Sequence, residues 1–534
     1  MLAPEIKAIL EYYQDLEMNL KKRGGLEKIK VGDTFSSLAS FYERIRYTVD
    51  YKKEHLLRRN AIERIVKRLL WEKGEGDLEA ISGWAIRELI WAKYVSNDFY
   101  PVAKIKEISA IIAKYLHLAT KFGAQGHSSK GLKDWLLAVA SCEIEEALDP
   151  SIVSFDVFSM AIESWFKKNY EWTGDGLDEP EREDQLAIAI HRSLFRSDEP
   201  KNAYYLLRRL VKGWSGMGGE EIEKNSVEVS KILVRIRISL RNPFQAKLYR
   251  YVQKEVAAFQ ILKDLIEENP AAVQNLLNQP DEFTREIYEV CENKYDEIKE
   301  RVNVGIIRSI IYIFITKIIF AIGIEIPYEL YFLKHLSWLP MISTVVVPII
   351  FVFLVALTIR KPGNENTHKI AETIFDFVYE HAISQKVSFS LIPKKKNFSY
   401  QIFSAVYGLI FIVVFSLIAY LLAKVGYDAI GIGIFFIFLS LILLFAYRVK
   451  FAASELNVTT IKESLASHLM SNITLPFLDL GVWLADKFAS LNFLILLFDF
   501  LVEAPLKNIL GVLDEWTTYL RERKEEAIEI PVER

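Results

Sequence analysis

Cysteine is nearly absent. Cys142 and Cys291 are the only two in 534 residues, and they sit far apart in helix-like surroundings. That excludes a disulfide framework and a cysteine-rich zinc site, and it points to a reducing compartment. An excess of either charge is missing too, because 66 Lys and Arg face 69 Asp and Glu. Global charge therefore names no polyanionic partner, and no specific nucleic-acid binding is expected. The opening stretch MLAPEIKAILEYYQDLEMNLKKR has no uninterrupted apolar core. A secretory signal peptide is not expected, and the first three hundred residues are read as cytoplasmic.

Catalytic signatures are lacking as well. Gly216, Gly218 and Gly219 are not followed by the Lys-Ser or Lys-Thr of a phosphate loop, and Glu220 and Glu221 would repel phosphate. The run from Gly126 to Lys130 places Lys where a nucleophile elbow needs Gly. Ser164 and Lys167 have SxxK spacing but no partner motif, and Glu365 and His368 give one ExxH pair where a di-iron bundle needs two. Asp175, Asp178, Glu179, Glu181, Glu183 and Asp184 crowd one acidic stretch without the spacing of a calcium-binding hand, so a solvated loop is expected there. No enzyme activity, cofactor or metal is expected from these patterns.

Charge is also scarce in one part of the chain. Residues 1–300 carry 45 basic and 49 acidic side chains, whereas residues 301–534 carry 21 and 20. Four stretches in that second part have the twenty or so apolar residues needed to cross about 30 Å of hydrocarbon. They pair as Ile306 to Ile326 with Leu336 to Ile359, and Ile402 to Ala423 with Ala429 to Tyr447. The fold class expected is all-α, a helical cytoplasmic domain followed by a polytopic membrane domain of about four spans in two hairpins. Its parts are a domain over 1–280, a helical connector over 281–305, and a first hairpin over 306–359. A basic, amphipathic cytoplasmic loop over 360–401, a second hairpin over 402–447 and a tail over 448–534 follow. Within the tail, 475–506 is read as interfacial or re-entrant, because Asp499 and Glu503 interrupt its apolar run.

Basic residues in short loops set the orientation. One side receives Lys294, Lys299, Arg301, Arg360, Lys361, Lys394, Lys395, Lys396, Arg448 and Lys450, and the other only Lys334 and Lys424. Both termini should be cytoplasmic, in a plasma or inner membrane. Arg360, Lys361, Lys394, Lys395, Lys396, Arg448 and Lys450 are the candidates for contact with anionic headgroups.

In the first three hundred residues apolar positions recur at three and four, as in Ile62, Ile65, Val66, Leu69 and Leu70, which predicts about ten helices. Asp281 is a candidate cap for a last helix that nothing breaks before Ile324, so the domain should couple rigidly to the first span. Two basic segments, 52–73 and 201–250, are candidate surfaces for anions. In the spans, Lys317 is the most unusual residue, since an unpaired ammonium at that depth is expensive. It should face protein, lining a polar path, pairing with Asp499 or forming a structural ion pair. Lys317, Asp499 and Glu503 are the candidate intramembrane polar residues. Pro348 should kink its helix, and Gly431 and Gly433 should allow close packing. The expected role is a membrane-anchored helical scaffold with an unidentified cytoplasmic protein partner. The alternative is a channel or transporter with a polar seam around Lys317, gated by the cytoplasmic domain.

Overall fold

The computed structural model describes residues 2–21, 28–31, 56–122, 131–149, 154–173, 177–268, 270–334, 338–359, 361–379, 386–389, 398–454, 456–459 and 465–489, with 516, 519, 520 and 523. These residues are mostly helical. The helices are α1 (Pro4–Lys21), α2 (Leu57–Lys73), α3 (Leu78–Trp91), α4 (Ala103–Phe122), α5 (Leu132–Leu148) and α6 (Ser154–Asn169), then α7 (Glu179–Phe195) and α8 (Glu199–Leu210). They continue as α9 (Gly219–Lys224), α10 (Ser226–Leu240), α11 (Gln245–Glu268), α12 (Pro270–Leu276) and α13 (Pro280–Phe320), and then α14 (Trp338–Leu357), α15 (Asn364–Val378), α16 (Phe398–Lys424), α17 (Ala429–Ala453) and α18 (Leu465–Ala489).

Start signals in the sequence work as capping chemistry. Asp77, Asp178 and Asp198 each precede a helix and accept a backbone N–H three residues on, from Ala80, Glu181 and Lys201. In α7 and α8 a proline in the first turn follows the cap, where its missing N–H costs nothing. For α13 the expected cap is corrected: Gln279 holds that position, Pro280 follows, and Asp281 and Glu282 lie in the first turn, where the helix dipole favours them.

Among the described residues three apolar cores are found. The first joins α2 to α5 with α8 and α10, around Ile62, Ile86, Tyr115, Leu136 and the fully buried Trp214. A second, around Phe158, Phe259, Phe283 and Ile287, joins α1, α6, α11, α13 and α15. Helix α7 belongs to both, since Ala187 and Ile188 face one core while Leu186, Ala189 and Ile190 face the other. The third core, around Val352, Phe435, Leu439, Leu443 and Phe477, lies among α14, α17 and α18.

The stretch expected to be a loop over 360–401 contains α15, which packs its face of Ile370, Ile374 and Phe377 into the second core. Leu456 and Val458, beyond α17, enter the same core. A short strand β2 (Val387–Phe389) from this stretch pairs in parallel with β1 (Tyr170–Trp172), two three-residue strands in a fold that is otherwise mostly helical, as expected. The second core is therefore assembled from segments on both sides of the apolar helices.

Among the described residues, three helical stretches, Trp338–Leu357, Gln401–Lys424 and Ala429–Phe451, are long and apolar enough to cross a membrane. They coincide with the second, third and fourth expected spans. The first expected span falls at the end of the 41-residue α13, about 60 Å long at 1.5 Å per residue. Within α14 the buried residues Thr344, Pro348, Val352 and Val355 form one stripe, so Pro348 faces the bundle and the helix continues through it.

Close packing comes from a different glycine than expected. A Cβ at Gly481 in α18 would lie 2.5 Å from the Ser440 carbonyl oxygen of α17, so these two backbones touch. Gly433 has nothing within 4 Å of such an atom, and Gly431 meets the local side chain of Asp428. The first part of the tail segment, from Leu475 to Phe488, lies within one unbroken helix packed along α17, with Pro476 inside it.

Candidate functional site

Polar groups collect at one end of the apolar bundle. Past Phe320 the chain stays helical, but its hydrogen bonds widen to the i to i+5 pattern over Ala321–Glu325 and again over Glu329–Leu333. Such widened turns add a residue to the turn and reorient side chains. Here they bring Glu325 to Lys317: the ammonium donates to Glu325 Oε1, and Lys317 is only 2% exposed. The Lys317 Nζ also lies 5.4 Å from the centre of the Phe438 ring.

The start of α14 and the turn before α17 complete the cluster. Tyr427 OH donates to the Pro340 carbonyl at 2.8 Å, and it lies 2.6 Å from Ser343 Oγ and 2.9 Å from Thr344 Oγ1. Asp428 caps α17 by accepting from Gly431 N at 3.0 Å, and its other oxygen accepts from Tyr328 OH at 3.0 Å. Gly426 supplies the left-handed backbone, φ 97°, that this tight turn requires. Between these elements is a cavity of about 230 Å³ lined by Glu325, Glu329, Asp428, Tyr328, Tyr427 and Thr344 among others. Three carboxylates and several hydroxyls thus surround a space next to one ammonium. The third core, with Phe435, Leu439 and Leu443 buried, continues from it along α17 and is apolar.

Of the intramembrane candidates, Lys317 lies in this cluster, and Glu325 is its partner. Asp499 and Glu503 lie outside the described residues, as do Arg360 and Lys394 to Lys396. Lys361 is tied to α13, donating to Glu292 and, at 2.9 Å, to Asp296. Arg448 is exposed and Lys450 half-buried, with its ammonium 5.5 Å from the Tyr447 ring centre.

The two basic segments spend much of their charge internally. On α2, Arg58 meets Asp149 at 2.7 Å, Arg59 meets Glu63 at 2.6 Å and also Asp198, and Arg68 meets Glu72 and Glu88. In the second segment, Lys201 pairs with Glu145 at 3.1 Å, Arg208 with Glu146 and Asp156, Arg209 with Glu163 and Arg235 with Asp184. Burial pushes Asp156 up to about 7 even with Arg208 beside it. In the SxxK spacing, Ser164 donates to Glu5 at 2.7 Å and Lys167 donates to Glu183 at 2.5 Å. Glu365 and His368 are both exposed on α15. The stretch from Gly126 to Lys130 lies outside the described residues.

Another buried ion pair sits in the first core. Lys114 donates to Glu143 and to the Trp214 carbonyl at 3.1 Å, while Tyr115 OH and Trp214 Nε1 each donate to Glu143 Oε2 at 2.9 Å. Burial pulls Lys114 down and pushes Glu143 up, and the mutual pairing opposes both. With its donors and acceptors matched, this network holds α4, α5 and the Trp214 turn together.

Comparison with family profiles, curated proteins and solved structures returned no match to this chain. What sequence reading missed at the bundle end was Glu325, Tyr427 and Asp428. Glu325 lay inside a stretch read as a span, and an acidic residue eight positions after a buried lysine was the available signal.

Proposed function

We propose that the chain is a multi-pass membrane protein of four spans, which hold a helical body rigidly at the cytoplasmic face as a scaffold for a partner protein. The first span is the end of α13, from Ile306 onward. Ile307, Ile311, Phe314 and Ile318 are all exposed there, an apolar face that suits lipid, while Lys317 points inward to Glu325.

The observation that carries the scaffold reading is the continuity of body and bundle. Helix α13 contributes Phe283, Ile287, Val290 and Tyr295 to the second core, and further along Ile306 and Ile310 pack on the third. A body that hangs from its anchor by a flexible linker needs none of this. One that must present a surface at a fixed height and angle does.

A channel or transporter is the second reading, favoured by the cavity beside Lys317. Conduction through a single copy would need that polar space to continue along the bundle. The apolar layer of Val352, Phe435, Leu439, Leu443 and Phe477 adjoins it instead, so the anchor is preferred.

Cysteine accessibility in intact cells tests the frame. Single cysteines are placed by Lys334→Cys, Lys424→Cys, Lys395→Cys and Glu526→Cys in a chain carrying Cys142→Ala and Cys291→Ala. Labelling from outside at 334 and 424 alone is the expected result. Outside labelling at 395, or none at 334, would overturn the four-span frame, and outside labelling at 526 would add a fifth span.

A further inference from the structure

The cleft between the first and second cores gathers cationic side chains from several elements at one place. It measures about 420 Å³, and six cationic side chains line it: Arg58, Arg196, Lys201, Lys263, Lys294 and Arg301. The carboxylates in its lining are Glu145, Asp149 and Asp264. Several of these cations already meet carboxylates, Arg58 and Lys201 at Glu145, Arg58 also at Asp149, Lys263 at Glu267, and Lys294 and Arg301 at Glu297, so the six cations stand against five carboxylates in all.

These cations come from five separate elements. Arg58 is on α2, Arg196 ends α7, Lys201 is on α8, Lys263 is on α11, and Lys294 and Arg301 are on α13. Arg196 stands in left-handed backbone, φ 50°, at a helix end where glycine or asparagine is the usual occupant. One wall is apolar: the Phe155 and Phe195 rings stack at 4.1 Å with 11° between their planes, and Ile298 lies nearby. Lys263 Nζ sits 5.2 Å from the Phe155 ring centre. Convergent guanidinium and ammonium groups beside an aromatic wall suit a phosphate group carried on an organic body.

We propose that this cleft binds a phosphorylated ligand, whose phosphate is held by Arg196 and Arg301 with the surrounding lysines. Arg301 is one turn before Gly305, where α13 meets Val449 of the bundle, and about 7.5 Å along the helix from Ile306. That height suits the headgroup of an anionic lipid, and the cleft is equally open to a soluble phosphate ester. Occupancy would tie the two cores to the base of α13, a role in regulating the body.

The test uses the full chain in phosphatidylcholine nanodiscs. Pyrophosphate is titrated by calorimetry in one arm, and retention of phosphatidic acid is read by native mass spectrometry in the other. Binding in the first arm assigns a soluble ligand, and binding in the second alone assigns a headgroup. The double variant Arg196→Gly with Arg301→Gln should weaken binding by about tenfold or more, with glycine suited to the backbone at 196. Asp264→Asn removes a lining carboxylate that pairs with Lys294 at 3.3 Å, and it should tighten binding, a gain that misfolding does not produce. No binding of either probe, or affinity unchanged in both variants, would overturn the proposal. The pyrophosphate arm does not depend on the number of spans, so its failure and a failure of the four-span frame are separate results.

Discussion

The Lys317 ammonium and the Glu325 carboxylate, eight residues apart, meet where helix α13 gives way to widened turns. Removing one partner of a buried pair leaves the other charge uncompensated, at a cost of about 3–5 kcal/mol, whereas replacing both is often neutral. Glu325→Gln should therefore destabilise the bundle strongly, and the double variant Lys317→Met with Glu325→Gln should recover most of the loss. Denaturant unfolding in detergent, followed through tryptophan fluorescence, measures both. Equal destabilisation by the single and double variants would show that the pair is not what holds this end together.

Gly481 sets how closely α17 and α18 approach. With only 2.5 Å available to a Cβ before the Ser440 carbonyl, Gly481→Ala must push the two backbones apart. Overpacking of this kind costs about 1–3 kcal/mol. Gly433→Ala, with nothing within 4 Å, is the matched control and should be neutral or slightly stabilising. Thermal melts of the two variants side by side give the answer.

Asn366 joins three segments with one side chain. Its Nδ2 donates to Tyr295 OH at 2.9 Å and to the Leu456 carbonyl at 2.8 Å, and its Oδ1 accepts from Val458 N at 2.7 Å and Thr459 N at 3.1 Å. Asn366→Ala leaves several buried groups unmatched, each worth about 1–3 kcal/mol. Amide exchange should rise at 456–459 ahead of global unfolding. Unchanged protection there would mean that Leu456 and Val458 hold the segment by packing alone.

His191 makes the body acid-sensitive. Burial pushes its imidazole down to about 3, with the Lys201 charge adding to the effect, and the ring stacks on Tyr205 at 4.4 Å. The folded form thus disfavours the proton relative to an unfolded histidine near 6.5. Stability is full above about 6.5 and is lost as pH falls from there through the folded value, a total of a few kcal/mol, on the order expected from such a shift. His191→Phe should flatten the dependence between pH 6.5 and 4 in chemical denaturation, while leaving stability at pH 8 less changed.

The long apolar helices at 338–357, 401–424 and 429–451 were legible because hydropathy over twenty residues is a local property, and so was the long α13, which no Pro or Gly-Pro pair interrupts. Partners were not legible. Arg59 and Asp198 are 139 positions apart, and Arg208 and Glu146 are 62 apart, so the basic segments looked free until the helices were set beside one another. The same holds for α15, whose apolar face could be read from its spacing but whose destination in the second core could not. Widened turns leave no periodic signature either, so Glu325, inside the stretch read as the first span, was not read as the partner of Lys317. Gly481 was passed over because it lay in a stretch read as interfacial or re-entrant, while backbone contact with Ser440 depends on a helix that precedes it by about forty residues.

The scattered origin of the second core fixes an order of events during synthesis. Among the described residues, the first core draws on nothing beyond Leu240 and is complete in sequence early. The second waits for Ile370 to Val378 and then for Leu456 and Val458. Until the ribosome has released the chain past that point, the faces of Phe158, Phe259 and Phe283 have no final cover. The apolar helices between must by then be placed with both flanks on the same side as the body. A chain whose helices enter the wrong way round would carry α15 away from its docking site, leaving a bare apolar surface of the kind that chaperones and proteases recognise. On the four-span reading proposed above, completion of the body would then depend on correct threading of the helices that follow its first part.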